Sequence, residues 1–273
     1  MTKISIITIN YNDVLGLEKT FNSVVNQSNK NFEYIVIDGG STDGSKEFIE
    51  KNSDKVSYWI SEKDSGIYNA MNKGINVAKG DYLLFLNSGD WLFENDSISN
   101  VDKLITGFKD IYYGNAIFKF AKKDKLVVYN ERISFQFFTH SSFCHQATFI
   151  KKQLFFDVFM YNENLKIVSD WEFFIYAICI KNVSHQYIDV IVSNYDLNGI
   201  SSRPEFEALK HKEREIVFNN YFPMFIGDYE NLNELNSKRI VSVLNIKKHK
   251  LAWKIFKAVI TIFEIFLPKN KKN

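Results

Sequence analysis

The chain has 273 residues, 24% of them charged, and a formal net charge of +2. This length accommodates one large α/β domain with an appended segment, or two small domains. A hydrophobic fraction of 45% excludes wholesale disorder and a polytopic membrane protein. The small net charge, with no basic motif interleaved with aromatic residues before the C-terminal segment, argues against nucleic acid as a partner.

In the first half, β-branched runs alternate with segments of helical spacing. Such alternation is typical of a mixed, mostly parallel sheet flanked by helices, and we predict that residues 1–110 are a nucleotide-binding half. The polar turns mostly follow strands, where α/β sheets bind ligands. The predicted strands are 4–9, 34–37, 56–60 and 82–86, and the predicted helices are 14–27, 44–52 and 66–78.

Beyond residue 110 the pattern loosens. We predict that residues 111–204 are an acceptor-facing half of the same domain, followed by a C-terminal helical extension over 205–273. The predicted elements are hairpin strands at 111–120 and 125–129, a strand at 147–150, helices at 170–180 and 205–219, and a loop at 198–204.

The segment 247–267 mixes lysines with large apolar residues. A spanning helix needs about 20 apolar residues, whereas Lys254, Lys257 and Glu264 interrupt this run. A basic flank, Trp253 and a broad apolar face are typical of a helix that lies in the membrane interface, and three lysines beyond residue 268 extend that flank. The alternative is a terminal helix docked on the core.

Two features bear on the compartment. Cys144 and Cys179 lack CxxC spacing and are too few for a disulfide framework, so we expect reduced thiols. The N-terminus enters an apolar strand pattern directly, without the features of a signal peptide. We therefore expect a cytoplasmic protein, peripheral on the inner face of the cytoplasmic membrane.

A glycine-rich turn, Asp38-Gly39-Gly40-Ser41-Thr42-Asp43-Gly44, separates a predicted strand from a helix. Its glycines let the backbone approach a ligand, and Asp38 can accept hydrogen bonds from a nucleobase or ribose. The same composition also ends strands and caps helices. The turn matches neither a Walker loop nor the GxGxxG fingerprint, which argues against a P-loop ATPase and a nicotinamide enzyme.

A second turn, Asn87-Ser88-Gly89-Asp90, follows the predicted strand at 82–86. One carboxylate at a strand end can hold a divalent cation that the two phosphates of a sugar nucleotide help to coordinate. Asp90 is therefore the candidate metal ligand, and a plain turn is the alternative reading.

The order of these turns strongly resembles family 2 glycosyltransferases of the GT-A fold, over roughly residues 3–200. Within that family the chain looks most like enzymes that build O-antigen, capsule or other exopolysaccharides. The segments that carry the resemblance are 8–12, 38–44, 64–74, 78–82 and 85–90.

The resemblance implies a set of site residues and a cofactor, Mg²⁺ or Mn²⁺. Donor-binding positions would be Thr8, Asn10, Tyr11 and Asp38 at the nucleoside, Asp64 in the donor pocket and Asn87 at the ribose, with Asp90 on the metal. The chain differs from many relatives at Asp38-Gly39, where they carry two Asp residues, and at 87–89, where their motif is more acidic.

An inverting transfer needs a carboxylate that deprotonates the acceptor hydroxyl. The run Ser169-Asp170-Trp171-Glu172 opens a predicted helix, and the similar family element places the base at Asp170. Glu172, two residues along a helix, points elsewhere. The alternative is that Asp170 only caps the helix.

His145 and Gln146 lie where relatives also carry a His-Gln pair, and we expect them to contact the acceptor or a phosphate. Arg203, in the predicted loop, could move onto the donor diphosphate when the site closes. A solvated surface arginine is an equally good interpretation of Arg203.

These observations predict an inverting transferase that moves a hexose or N-acetylhexosamine from a nucleotide-diphosphate sugar, with UDP favoured, to a polyprenyl-diphosphate-linked saccharide. One alternative is a catalytically inactive, sugar-nucleotide-binding scaffold subunit. Another is a sugar-phosphate nucleotidyltransferase, which should show a triphosphate-binding loop with Arg or Lys after the first strand, where this chain has Asn10-Tyr11-Asn12-Asp13.

Overall fold

The computed structural model describes residues 3–120, 123–197, 199, 203–225, 227–228, 235 and 237–266. It divides into two compact units, Met1–Tyr221 and Phe222–Asn273. The predicted division at 204/205 thus lies upstream of the division in the structure.

The first half of the first unit is a parallel sheet with the strand order β3-β2-β1-β4. Every residue of β1 is buried, as expected for a parallel strand that is covered on both faces. The elements agree with the predicted ones to within a few residues. They are β1 (Ile4–Asn10), α1 (Val14–Val25), β2 (Phe32–Asp38), α2 (Ser45–Lys51), β3 (Tyr58–Ser61), α3 (Ile67–Val77) and β4 (Tyr82–Phe85).

The second half adds mixed strands to the same sheet. Its elements are β5 (Trp91–Leu92), α4 (Ser97–Asp102), β6 (Ile111–Lys119), β7 (Lys125–Val127), α5 (Phe135–His140), β8 (Thr148–Lys151), α6 (Leu154–Asp157), α7 (Ser169–Cys179) and β9 (His185–Asp196). β8 is antiparallel to β4 and β6, β9 is parallel to β6 and antiparallel to β5, and β7 forms the predicted hairpin with β6. Within the described residues, nine strands form one sheet.

Strand register explains why the polar turns meet. Asn10 pairs with Asp38, and Asp38 pairs with Ser61, so β1, β2 and β3 end at the same level. β4 lies on the other side of β1, with Ile7 opposite Phe85. Parallel strands in register bring their carboxyl ends to one edge, which positions the turns predicted to bind a ligand.

Helix α8 (Glu207–Tyr221) belongs to the first unit, although the sequence suggested a separate extension from residue 205. The buried Glu213 carboxylate accepts backbone N–H bonds from Lys166, Ile167 and Val168, at 2.7, 2.9 and 3.2 Å. Charge-assisted bonds of this kind are strong. They tie α8 to the segment that precedes α7.

The second unit contains α9 (Lys238–Lys247) and α10 (Lys250–Phe266). Apolar side chains of α10 are exposed, among them Leu251, Phe263 and Phe266. In the described part of the chain, no helix has the length and hydropathy that crossing a membrane requires. Residues 267–273, which complete the predicted basic flank, lie outside the described residues.

Candidate functional site

A cavity of about 1130 Å³ opens at the carboxyl ends of β1, β2 and β4. Its volume is slightly above the usual range for sites that bury a small ligand. Of the predicted site residues, those on its wall are Asn10, Tyr11, Asp64, Asn87, Asp90, Gln146 and Arg203. Thr8, Asp38, His145 and Asp170 are not on this wall.

Asp38 is fully buried beneath the turns. Its carboxylate accepts hydrogen bonds from Asn10 Nδ2, Ser41 Oγ and Ser61 Oγ, at 2.7, 2.5 and 2.6 Å. Burial raises the pKa of Asp38, but these bonds outweigh it and hold the pKa below its usual value. Asp38 therefore orders the turns, which corrects the expectation that its side chain contacts the nucleoside.

Thr8 requires the same correction. Its side chain is fully buried, and its hydroxyl lies 3.2 Å from the Tyr34 hydroxyl. A side chain without exposed surface cannot reach a ligand in the cavity. Tyr11, three residues further on, is 67% exposed on the cavity wall, so its ring is accessible to a ligand.

Asp64 and Gly39 share a corner of the cavity. Asp64 Oδ1 accepts the Gly66 N–H at 2.9 Å, and a Cβ at position 39 would lie 2.5 Å from Asp64 Oδ2. The glycine thus makes room for the Asp64 carboxylate. This contact gives a physical reason for the Asp38-Gly39 sequence where many relatives carry a second Asp.

Asp90 is almost fully buried at the cavity wall. Its Oδ1 accepts the Asp196 N–H and its Oδ2 accepts a Gln146 Nε2–H bond, both at 2.8 Å. Burial raises the pKa of Asp90 to about 7 and outweighs these bonds. Without a bound cation, the site therefore disfavours the ionised form of Asp90. Asp13 and Asp196, which the sequence did not single out, also line the cavity.

The residues at this turn fit a divalent cation that is shared with a ligand. The described residues contain no cluster of three or more His, Cys, Asp or Glu side chains that could hold a metal by themselves. Mg²⁺, however, is usually held by one or two carboxylates together with substrate phosphates. Asp90 supplies one carboxylate, and the buried Asn87 Oδ1 has no hydrogen-bond partner within the described structure, so a polar ligand would satisfy it.

Asp170 lies in the first turn of α7. Its Oδ1 accepts the Tyr68 hydroxyl and its Oδ2 lies against His145 Nδ1, both at 3.0 Å. Burial raises the pKa of Asp170, but His145 and Tyr68 together hold it below its usual value, so the carboxylate is ionised. The N-cap of α7 is Val168, which excludes the alternative that Asp170 is the cap.

Glu172 is also buried, and burial raises its pKa. It does not line the cavity, which agrees with the expectation that it points elsewhere. Arg203 and Gly199 line the cavity, whereas residues 198 and 200–202 of the predicted loop lie outside the described residues.

A short 3-10 turn, His145–Ala147, precedes β8. Gln146 reaches Asp90, as described above, while His145 reaches Asp170 through Nδ1 and lies 3.3 Å from Asn87 Nδ2 through Nε2. The two residues of the predicted His-Gln pair therefore contact two different carboxylates, Asp170 and Asp90. No feature of the sequence signalled these partners.

Three proteins are similar to this chain, one in sequence and two in structure. A PGL/p-HBAD biosynthesis glycosyltransferase of Mycobacterium bovis is 29% identical over 205 residues, which cover 72% of this chain and 78% of the relative. The crystal structure of S. aureus TarS 1-349 superposes with a TM-score of 0.60 at 20% identity, covering 71% of this chain and 60% of that 1-349 chain. A mannosyltransferase of Pyrobaculum calidifontis, solved with GDP-Man and Mn²⁺, has a TM-score of 0.56 at 12% identity and covers 94% of this chain and 83% of its own.

These likenesses identify the sheet and its flanking helices as the predicted GT-A fold. Residues 5–163 match the family described as glycosyl transferase family 2, which is more than half of the chain. This family indicates a glycosyltransferase, which is a different class of enzyme from a sugar-phosphate nucleotidyltransferase. The chain is therefore a glycosyltransferase that belongs to glycosyl transferase family 2.

Proposed function

We propose that the protein transfers a hexose or an N-acetylhexosamine, with inversion, from a nucleotide-diphosphate sugar to a lipid-linked saccharide. The observation that carries the proposal is a pair of unlike carboxylates, Asp90 on the cavity wall and Asp170 in hydrogen-bond contact with the wall residue Tyr68. Burial raises the pKa of Asp90 on the wall, whereas hydrogen bonds from His145 and Tyr68 hold the pKa of Asp170 below its usual value. Pairs of carboxylates whose pKa values are pushed apart are typical of sites that divide two chemical roles.

In the proposed reaction, the acceptor hydroxyl forms a bond to the anomeric carbon while the bond to the nucleotide diphosphate breaks. Asp170 takes the hydroxyl proton, and attack from the face opposite the leaving group inverts the configuration. Mg²⁺ or Mn²⁺ held by Asp90 would neutralise charge on the departing diphosphate. Tyr68 and His145 hold the two oxygens of Asp170 in place, and Arg203 and Lys63 supply cationic groups at the wall.

UDP is the favoured nucleotide. TarS has been solved with UDP and with UDP-GlcNAc, and the Pyrobaculum mannosyltransferase with GDP-Man and Mn²⁺. On the cavity wall of this chain, Tyr11 is available to contact a nucleobase and Asp64 a ribose hydroxyl. Asn87 Oδ1 is available to accept a hydrogen bond from a second ribose hydroxyl.

We expect a screen of UDP-, GDP- and dTDP-sugars to show nucleotide release from one donor, dependent on Mn²⁺ or Mg²⁺. Adding a polyprenyl-diphosphate-linked saccharide should raise the release rate and yield an inverted glycosidic bond, as read by NMR. Chelation of the metal is the control. Absence of nucleotide binding with metal present would contradict the proposal, and donor hydrolysis without glycosylation of any lipid-linked saccharide would contradict the acceptor class.

We further propose that α10 holds the enzyme on a membrane surface. Leu251, Ile255, Ile262 and Phe266 are exposed and share one face, while Lys250, Lys254 and Lys257 form a neighbouring stripe along the helix. An apolar face beside a basic one suits the acyl boundary of an anionic bilayer. The free cysteines fit a reducing compartment, and therefore the cytoplasmic face.

Replacing Lys250, Lys254 and Lys257 with Glu should weaken binding to phosphatidylglycerol vesicles by at least roughly 100-fold, because each basic residue contributes about 1 kcal/mol at such a surface. Replacing Ile255, Ile262 and Phe266 with Ser should abolish it. Phe108→Ser, which removes a large exposed apolar side chain elsewhere, is the matched control. Flotation assays measure the binding, and equal flotation of all variants would refute the proposal.

A further inference from the structure

Four side chains form a continuous row of hydrogen bonds between two points on the cavity wall. Asn87 Nδ2 lies 3.3 Å from His145 Nε2, His145 Nδ1 lies 3.0 Å from Asp170 Oδ2, and Tyr68 donates its hydroxyl to Asp170 Oδ1 at 3.0 Å. Asn87 and Tyr68 line the cavity, whereas His145 and Asp170 lie between them, off the wall. His145 therefore connects the turn after β4 with the first turn of α7.

The chemistry of the row determines which atoms donate. An ionised carboxylate can only accept, so His145 Nδ1 carries the proton that is shared with Asp170. The Asn87 amide nitrogen can only donate, so His145 Nε2 accepts its hydrogen bond. This assignment fixes the orientation of the Asn87 amide. It leaves Asn87 Oδ1 as the atom without a partner.

We infer that His145 is a positioning residue that couples the donor side of the site to the catalytic base, rather than a group that contacts the acceptor. The inference rests on the proposed function. A donor hydroxyl that binds Asn87 Oδ1 holds the Asn87 amide in place. The amide then holds the His145 ring, and the ring holds the oxygen of Asp170 with which it pairs. The base is thus best aligned when the donor is bound.

This role follows from where the row lies. A catalytic carboxylate must be held to about half an ångström of its working geometry, which requires partners whose own orientation is locked. Tyr68 holds one Asp170 oxygen. Burial and the Asp170 charge raise the pKa of Tyr68 well above its usual value, so its hydroxyl remains a hydrogen-bond donor. His145 locks the other oxygen, but its ring is itself fixed through Asn87. Removing His145 leaves Tyr68 as the one side-chain partner of the base among those described above.

The test uses three variants of the full chain. His145→Phe keeps a planar ring and removes both bonds, His145→Asn retains an amide N–H that can take the place of Nδ1, and Asp170→Asn removes the base. We expect His145→Phe to lower kcat for transfer by roughly 10- to 100-fold, with KM for the acceptor changed less than about threefold, since outer-shell partners typically contribute that much. His145→Asn should recover most of the loss.

The double variant, with His145→Phe and Asp170→Asn combined, separates coupling from a structural role. If His145 acts through Asp170, adding His145→Phe to Asp170→Asn lowers the residual rate by less than about threefold. A multiplicative loss, or a loss that His145→Asn does not recover, overturns the inference. So does a rise in acceptor KM at unchanged kcat, which would place His145 on the acceptor. Full activity of Asp170→Asn would instead refute the proposed function itself.

Discussion

The Asp170→Asn variant is expected to lose glycosyl transfer by about 10³-fold while it binds the nucleotide sugar as the wild type does. General-base catalysis by a positioned side chain contributes about 10²- to 10⁴-fold, and the amide cannot accept the acceptor proton. Donor affinity should persist because Asp170 is not on the cavity wall. Steady-state transfer rates, with calorimetric titration of the donor nucleotide, measure the two quantities separately.

Glu172→Gln provides the matched control on the same helix. Glu172 is buried in α7, but it does not line the cavity, and its side-chain hydrogen bonds go to Asn162 and Tyr221, neither of which is a proposed site residue. We expect Glu172→Gln to change the transfer rate less than about threefold. If both variants lost activity equally, with equal loss of thermal stability, integrity of α7 rather than the Asp170 base would explain the effect.

The wild-type pH profile should agree with this assignment. His145 and Tyr68 hold the pKa of Asp170 below its usual range, so the base stays ionised until the pH falls below that range. Protonation of Asp170 therefore should not limit transfer at neutral pH.

Asp90→Asn is expected to lower metal-dependent transfer by roughly 10²- to 10³-fold, because it removes the proposed anionic ligand of the cation. The variant should require much more Mn²⁺ for half-maximal rate. Metal titrations of donor turnover check this. Asp54→Asn, which changes an exposed carboxylate, is the control. An unchanged Mn²⁺ requirement in Asp90→Asn would contradict the assignment.

The same substitution lowers activity but is expected to stabilise the metal-free protein at a pH above the pKa of Asp90. Burial raises the pKa of Asp90 from 3.8 to about 7, so between these values the folded state binds more protons than the unfolded state. This contribution to stability therefore falls as the pH rises from about 4 to about 7. Asp90→Asn should abolish that part of the pH dependence. Thermal unfolding at pH 5 and pH 8 without metal measures it, and a cation with UDP should restore wild-type stability at pH 8.

Much of the first half could be predicted because its signals are local. The fully buried β1 appears in the sequence as a β-branched run that only Ser5 interrupts before Asn10, and glycine and polar residues mark the turns at 38–44 and 87–90. Parallel pairing then requires those turns to share one edge of the sheet. β9 was missed, because bulges in its pairing with β6 interrupt the alternation that marks a strand.

The sequence by itself thus determined the α/β architecture, the ligand-binding edge and the candidate carboxylates. Only the tertiary structure decided which side chains reach the cavity: it buried Thr8 and Asp38, and it joined His145 to Asp170 and Asn87. It also placed Glu213 of α8 against the segment that leads into α7. These outcomes depend on contacts between residues far apart along the chain, and the local periodicity of the sequence does not predict such contacts.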